Sequence, residues 1–123
     1  MINKISRNEQ RRKRHKRTRR KVFGSGEMPR LVVYRSNRHL YAQVIDDISG
    51  NTLASSNTLQ KRFKENMDEK MSNKDMAGLV GRLVAEDAMK VDVKRVVFDR
   101  GGNKYHGLIA ALADSARKAG LEL

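Results

Sequence analysis

The chain has 123 residues, 38% hydrophobic and 33% charged, with a formal net charge of +13. That is the length of one domain with a modest core and a charged surface rather than a large apolar pocket, so no small-molecule substrate is expected. It has no Cys, its three histidines (His15, His39, His106) lack metal-ligand spacing, and no apolar stretch approaches a membrane span or signal-peptide core; a disulfide framework, a thiolate nucleophile and a metal site are excluded, and a soluble intracellular protein without cofactors or membrane contact is expected.

The first element is a cationic run. Arg11, Arg12, Lys13, Arg14, Lys16, Arg17, Arg19, Arg20 and Lys21 follow one another with only His15 and Thr18 between them. Residues 1–21 hold eleven of the 27 Lys and Arg against one acid, Glu9, while the remaining chain holds 16 basic and 13 acidic residues. The net charge is thus mostly a tail on a nearly balanced domain. Like charges in a block repel, so the run is expected to stay extended until a polyanion neutralises it. Nucleic acid is the favoured polyanion, because each neutralised phosphate releases counterions. Basic runs also serve as localisation signals, solubilising tails or membrane-surface helices. A membrane-binding helix needs an apolar face, and none exists between Arg7 and Lys21. Gly24 to Met28, ahead of the single proline Pro29, reads as a flexible join, which places the boundary between arm and domain near residue 28.

From Pro29 onward the pattern alternates between strand and helix. Arg30 to Arg35 is β-rich, Ser36-Asn37-Arg38 supplies turn chemistry, and His39 to Ile45 reads as a second strand. A polar turn at 46–51 precedes a short third strand from Thr52 to Ser56, completing an antiparallel meander. Residues 59–72 are charged and ambiguous: Phe63, Met67 and Met71 sit four apart, as on a helix, but a loop fits equally well. Residues 72–91 form the clearest helix, with a capping pattern at Ser72 to Asp75 and apolar residues at three- and four-residue spacing from Met76 to Val91. Gly78 and Gly81 on it would let another element approach closely. Lys94 to Asp99 reads as a buried strand, 99–104 as a loop, and Tyr105 to Ala119 as a second amphipathic helix closed by Gly120. The order β-β-β-α-β-α predicts an α/β sandwich, a mixed sheet with helices packed on it, for residues 29–123.

Three clusters carry candidate chemistry. The arm is the first. The second is the hairpin tip, where Arg35, Ser36, Asn37, Arg38 and His39 gather donors beside Tyr34, Tyr41 and Gln43. Cations interleaved with aromatics suit RNA, whose unpaired bases stack on rings; equally, the tyrosines could be core residues with polar rims. The third is the segment from Phe98 to Gly107. Gly101 and Gly102 at a strand-to-helix junction could present amides to phosphate near Arg100, Lys104, Tyr105 and His106. The spacing matches neither a Walker loop nor a dinucleotide fingerprint. The plainer reading is a turn that needs positive φ, with Asp99 capping it or pairing with Arg100. An acid–base pair of Asp99 and His106 would suit a nuclease, but one Asp and one His seven residues apart arise by chance in any domain. Asp46 and Asp47 read as turn residues.

Taken together, the hairpin from Leu31 to Asp47, Thr52-Leu53-Ala54-Ser55-Ser56, the segment Val96 to Gly102 with Tyr105-His106-Gly107, and Ala111-Leu112-Ala113-Asp114 with Ala116-Arg117 resemble the bacterial-type large-subunit ribosomal protein L eighteen family over nearly the whole chain. The resemblance implies a β-β-β-α-β-α domain with a basic arm, no catalysis, and a place in the cytoplasmic ribosome. It also implies binding to 5S rRNA, help in joining that RNA to 23S rRNA in the central protuberance, and neighbouring large-subunit proteins as partners. Residues 59–72 depart from the family pattern. The classes weighed against this are a nuclease using Asp99 and His106 and a DNA-binding architectural protein.

Overall fold

The computed structural model describes residues 6–123; the first five residues of the expected arm lie outside the described residues. The elements run α1 (Arg7–Thr18), β1 (Arg30–Arg35), β2 (Leu40–Asp46), β3 (Asn51–Asn57), α2 (Lys61–Asn66), α3 (Asn73–Lys90), β4 (Val97–Asp99) and α4 (Gly107–Lys118). The four strands form one mixed sheet in the order β3-β2-β1-β4, with β1 antiparallel to β2 and parallel to β4. The α/β sandwich expected from the pattern is the observed architecture.

Alternation along the strands separates two faces. Leu31, Val33, Ala42, Val44, Ala54 and Ser56 are buried beneath α3 and α4. α3 starts at a full capping box: the Ser72 hydroxyl accepts from the Asp75 N–H, and the Asp75 carboxylate accepts from the Ser72 N–H. It lies against α4 where a Cβ on Gly81 would strike the Leu112 carbonyl, so Gly81 allows the close approach expected of it; at Gly78 the nearest neighbour, Ser115, is at ordinary contact distance. The ambiguous segment resolves into α2, which buries Phe63 in the core and joins α3 through Arg62 and Asp87. Met67 stays exposed and Met71 is half-buried, so the four-residue spacing there marks one buried residue and not a stripe.

Two expectations about the segment before the domain are corrected. The cationic run is not extended: residues 7–18 form α1, capped by the Ser6 hydroxyl, which accepts from the Glu9 N–H at 3.1 Å. The join is not loose either. Gly24 is buried, its N–H donates to Asp47 Oδ2 at 2.8 Å, and its carbonyl accepts from the Asp47 N–H at 3.2 Å. Charge repulsion within the run is outweighed by hydrogen bonds to the domain, which charge counting does not register.

Candidate nucleic-acid interface

The sheet face turned away from α3 and α4 carries Arg30, Val32 and Tyr34 on β1, Tyr41 and Gln43 on β2, and Asp99 on β4. Asp99 is completely buried, and a buried carboxylate demands partners. It has three. Arg30 donates through Nη1 at 2.6 Å, the Gly101 N–H donates to Oδ1 at 2.8 Å, and His15 donates through Nε2 at 2.8 Å. Arg30 also donates to both oxygens of Asp47, at 2.9 and 3.1 Å, and Arg19 reaches Asp47 Oδ2 at 3.2 Å. Burial alone would lower the pKa of Arg30, but the hydrogen bonds it donates to its two carboxylate partners, together with their charge, more than offset this and raise it above the ordinary arginine value. The hydrogen bond from Arg30 holds Asp47 down at about 2; burial opposes this and the Gly24 N–H reinforces it.

This chain of charges anchors α1 on the sheet. Arg11 Nη1 donates to the Gly101 carbonyl and Arg14 Nε to the Gly102 carbonyl, each at 2.9 Å. Gly101 and Gly102 take φ of +65° and +81°, as the turn reading requires. Both are buried, Gly101 against β1 at Val33 and Gly102 beneath the helix backbone at Arg11 and His15. Their amides are therefore not an open phosphate cradle. Asp99 pairs with Arg30 and His15 rather than with Arg100, and Asp47 is part of the anchoring network rather than a plain turn residue. His106 is exposed at the N-cap of α4 and is not among the partners of Asp99, so the acid–base pair does not form.

Beside this anchor the arm and the tyrosine pair meet at the surface. The Arg11 guanidinium lies over the Tyr34 ring at 5.5 Å, and the Tyr34 and Tyr41 rings are 5.7 Å apart. Tyr34 is 49% exposed, so it is a surface ring and not a core residue; Tyr41 is half-buried, and a shallow hollow between them is floored by Val32 and Gln43. At the tip, Ser36 and His39 hold the turn: the His39 N–H donates to Ser36 Oγ at 3.1 Å, and His39 Nδ1 lies 2.9 Å from Thr58 Oγ1. Arg35, Asn37 and Arg38 are left exposed. Arg100 and Lys104 border a second hollow shared with Arg14 and Thr18 of α1. Tyr105 packs edge-on against Phe98, with ring centroids 5.9 Å apart, and accepts from Arg117 at 2.9 Å. Arg12, Lys13, Lys16, Arg17, Arg20 and Lys21 are all exposed. The residues that sequence reasoning missed are Arg30 and Asp47; a buried arginine in a strand gives no periodic signal.

Residues 5–123 match the family model described as Ribosomal L18 of archaea, bacteria, mitochondria and chloroplast. The chain is 55% identical over 122 residues to "Large ribosomal subunit protein uL18" of Thermotoga neapolitana, covering 99% of each chain. It is 53% identical to the protein of the same name from a Synechococcus species (97% of this chain, 98% of the other) and 54% identical to that of Caldanaerobacter subterraneus (98% of each). The chain belongs to the L18 ribosomal protein family. Its role is that of a structural protein of the large ribosomal subunit and not an enzyme, and in bacteria that subunit works in the cytoplasm. Among the described residues of this L18 protein no helix is long and apolar enough to cross a membrane.

Proposed function

We propose that this chain binds 5S rRNA and helps attach it to 23S rRNA in the central protuberance, beside neighbouring large-subunit proteins. Membership of the L18 family supports the reading, as do the exposed cations of α1 and of the hairpin tip and the exposed ring of Tyr34. The observation that carries it is the Arg11–Tyr34 contact, which joins the arm to the tyrosine pair and so to the hairpin tip. Arg12, Lys13, Lys16, Arg17, Arg20, Lys21, Arg100 and Lys104 supply phosphate contacts that fix position. Tyr34, Tyr41 and Gln43 offer stacking and hydrogen bonds to unpaired bases, and Arg35, Asn37 and Arg38 reach the same strand. Residues 29–123 form the recognising domain and the preceding segment supplies the charge.

A competition assay at fixed salt tests the reading. Labelled 5S rRNA bound to the protein should be displaced by unlabelled 5S rRNA and resist duplex DNA of equal length. Equal competition by the DNA would replace this function with that of a DNA-binding architectural protein.

A further inference from the structure

Helix α1 sorts its cations into two rows. With 3.6 residues per turn, Arg11, Arg14 and His15 fall on one side and Arg12, Lys13, Lys16 and Arg17 on the other. The first row is spent on the domain: two guanidiniums on the carbonyls of Gly101 and Gly102, and one imidazole on Asp99. The second row is exposed. No residue of α1 is buried, so apolar packing does not hold the helix in place. Like charges at Arg12 and Lys16, and at Lys13 and Arg17, oppose the helix in isolation. What fixes its position is these polar contacts, and the one to a charged partner is that of His15 with the carboxylate of Asp99, itself held from below by Arg30.

We propose that Asp99 is a docking socket and that His15 is a positioning residue, not an RNA contact. Inserting His15 into the socket sets α1 in one orientation on the sheet. Arg12, Lys13, Lys16 and Arg17 then form a rigid row registered to the Tyr34–Tyr41 surface, so that the arm meets RNA already aimed and loses less freedom on binding. Arg11 and Arg14 brace the same dock through the glycine carbonyls. The inference rests on the RNA-binding reading for its consequence and on the His15–Asp99 contact for its mechanism, and the two are tested separately.

Amide exchange on the full-length protein without RNA tests the dock itself. The amides from Arg11 to Thr18 should be protected in the native chain and lose that protection in His15→Ala, while β1 and α3 keep theirs. Equal protection of α1 in both proteins would overturn the socket whatever the RNA does. The consequence is read with a tethered probe, which the absence of cysteine makes straightforward. A Gln10→Cys variant carrying an iron chelate should cleave bound 5S rRNA at a compact set of nucleotides. Adding His15→Ala should scatter that cleavage and weaken binding about tenfold, the scale of one charge-assisted hydrogen bond, yet leave the salt slope unchanged because the outward cations remain. Sharp cleavage with native affinity would overturn the positioning role. So would a fall in salt slope equal to that of Lys16→Ala, which would make His15 an ordinary RNA contact. If the labelled protein with His15 intact binds no 5S rRNA, the functional reading fails, and the exchange result still decides the socket.

Discussion

Gly102 lies directly beneath the backbone of Arg11: a Cβ there would strike the Arg11 carbonyl oxygen and come within 3.0 Å of the His15 nitrogen. The glycine loop and the basic helix are therefore fitted to each other. Gly102 also has φ of +81°, a second reason against a side chain. Gly50 separates the two reasons, because it has φ of +75° with nothing within 4 Å of its notional Cβ. Gly50→Ala should cost roughly 1 kcal/mol, for the left-handed conformation alone. Gly102→Ala should cost about the same in urea unfolding of the domain and, beyond that, should strip amide protection from α1. Retained protection of α1 would contradict the close fit.

Arg30 holds two carboxylates at once, with its side chain almost completely buried. Removing one partner from such a cluster leaves uncompensated buried charge, so Arg30→Ala should destabilise the domain by about 3–5 kcal/mol in urea unfolding. Arg30→Lys should recover only part of this, because an ammonium cannot present the guanidinium fork to both Asp47 and Asp99. Full recovery by lysine would show that charge alone suffices.

Asp47 gives a pH dependence with a definite sign. Its folded pKa is about 2, below the ordinary carboxylate value of 3.8. Its contribution to stability is therefore complete above about pH 4 and is lost as pH falls toward 2. Urea midpoints measured from pH 5 to pH 2 should fall more steeply in the native protein than in Asp47→Asn. Parallel curves would count against the Arg30–Asp47 hydrogen bonds as a source of stability.

Arg35 and Arg38 are exposed at the hairpin tip, where the turn is held by Ser36 and His39 instead. Replacing both arginines with Ala should change domain stability by less than about 0.5 kcal/mol and weaken 5S rRNA binding at physiological salt. Native affinity would remove the tip from the interface.

The sandwich was legible because its elements carry their own periodicity. Leu31 and Val33 alternate with Val32 and Tyr34, and α3 declares its start with Ser72 and Asp75. The arm was misread because charge dominates its composition. Its helix carries no buried residue and is held by carbonyls and one carboxylate that are distant in sequence. A local signal was present: Ser6-Arg7-Asn8-Glu9 has the spacing of a capping box, and the Ser6 half of it forms. Of the candidate site residues, the exposed cations lie at the surface as their composition suggested, and Tyr34, for which core and surface were equally open, is exposed. His15, Gly101 and Gly102 turn inward, because the buried charge of Asp99 and the left-handed turn need them there.

The salt dependence of 5S rRNA binding tests the central claim most directly, in the full-length protein and in a variant with Arg12, Lys13, Lys16 and Arg17 all changed to Ala. Each phosphate contact contributes about 0.7 to the slope of log affinity against log salt for a single strand and about 0.9 for a duplex. The variant should keep its fold and lose up to about 3 units of slope on single-stranded RNA, or about 3.6 on duplex, one contact for each outward cation. A slope identical to that of the native protein would mean that the exposed row of α1 does not meet the RNA backbone, and the proposed interface would be wrong.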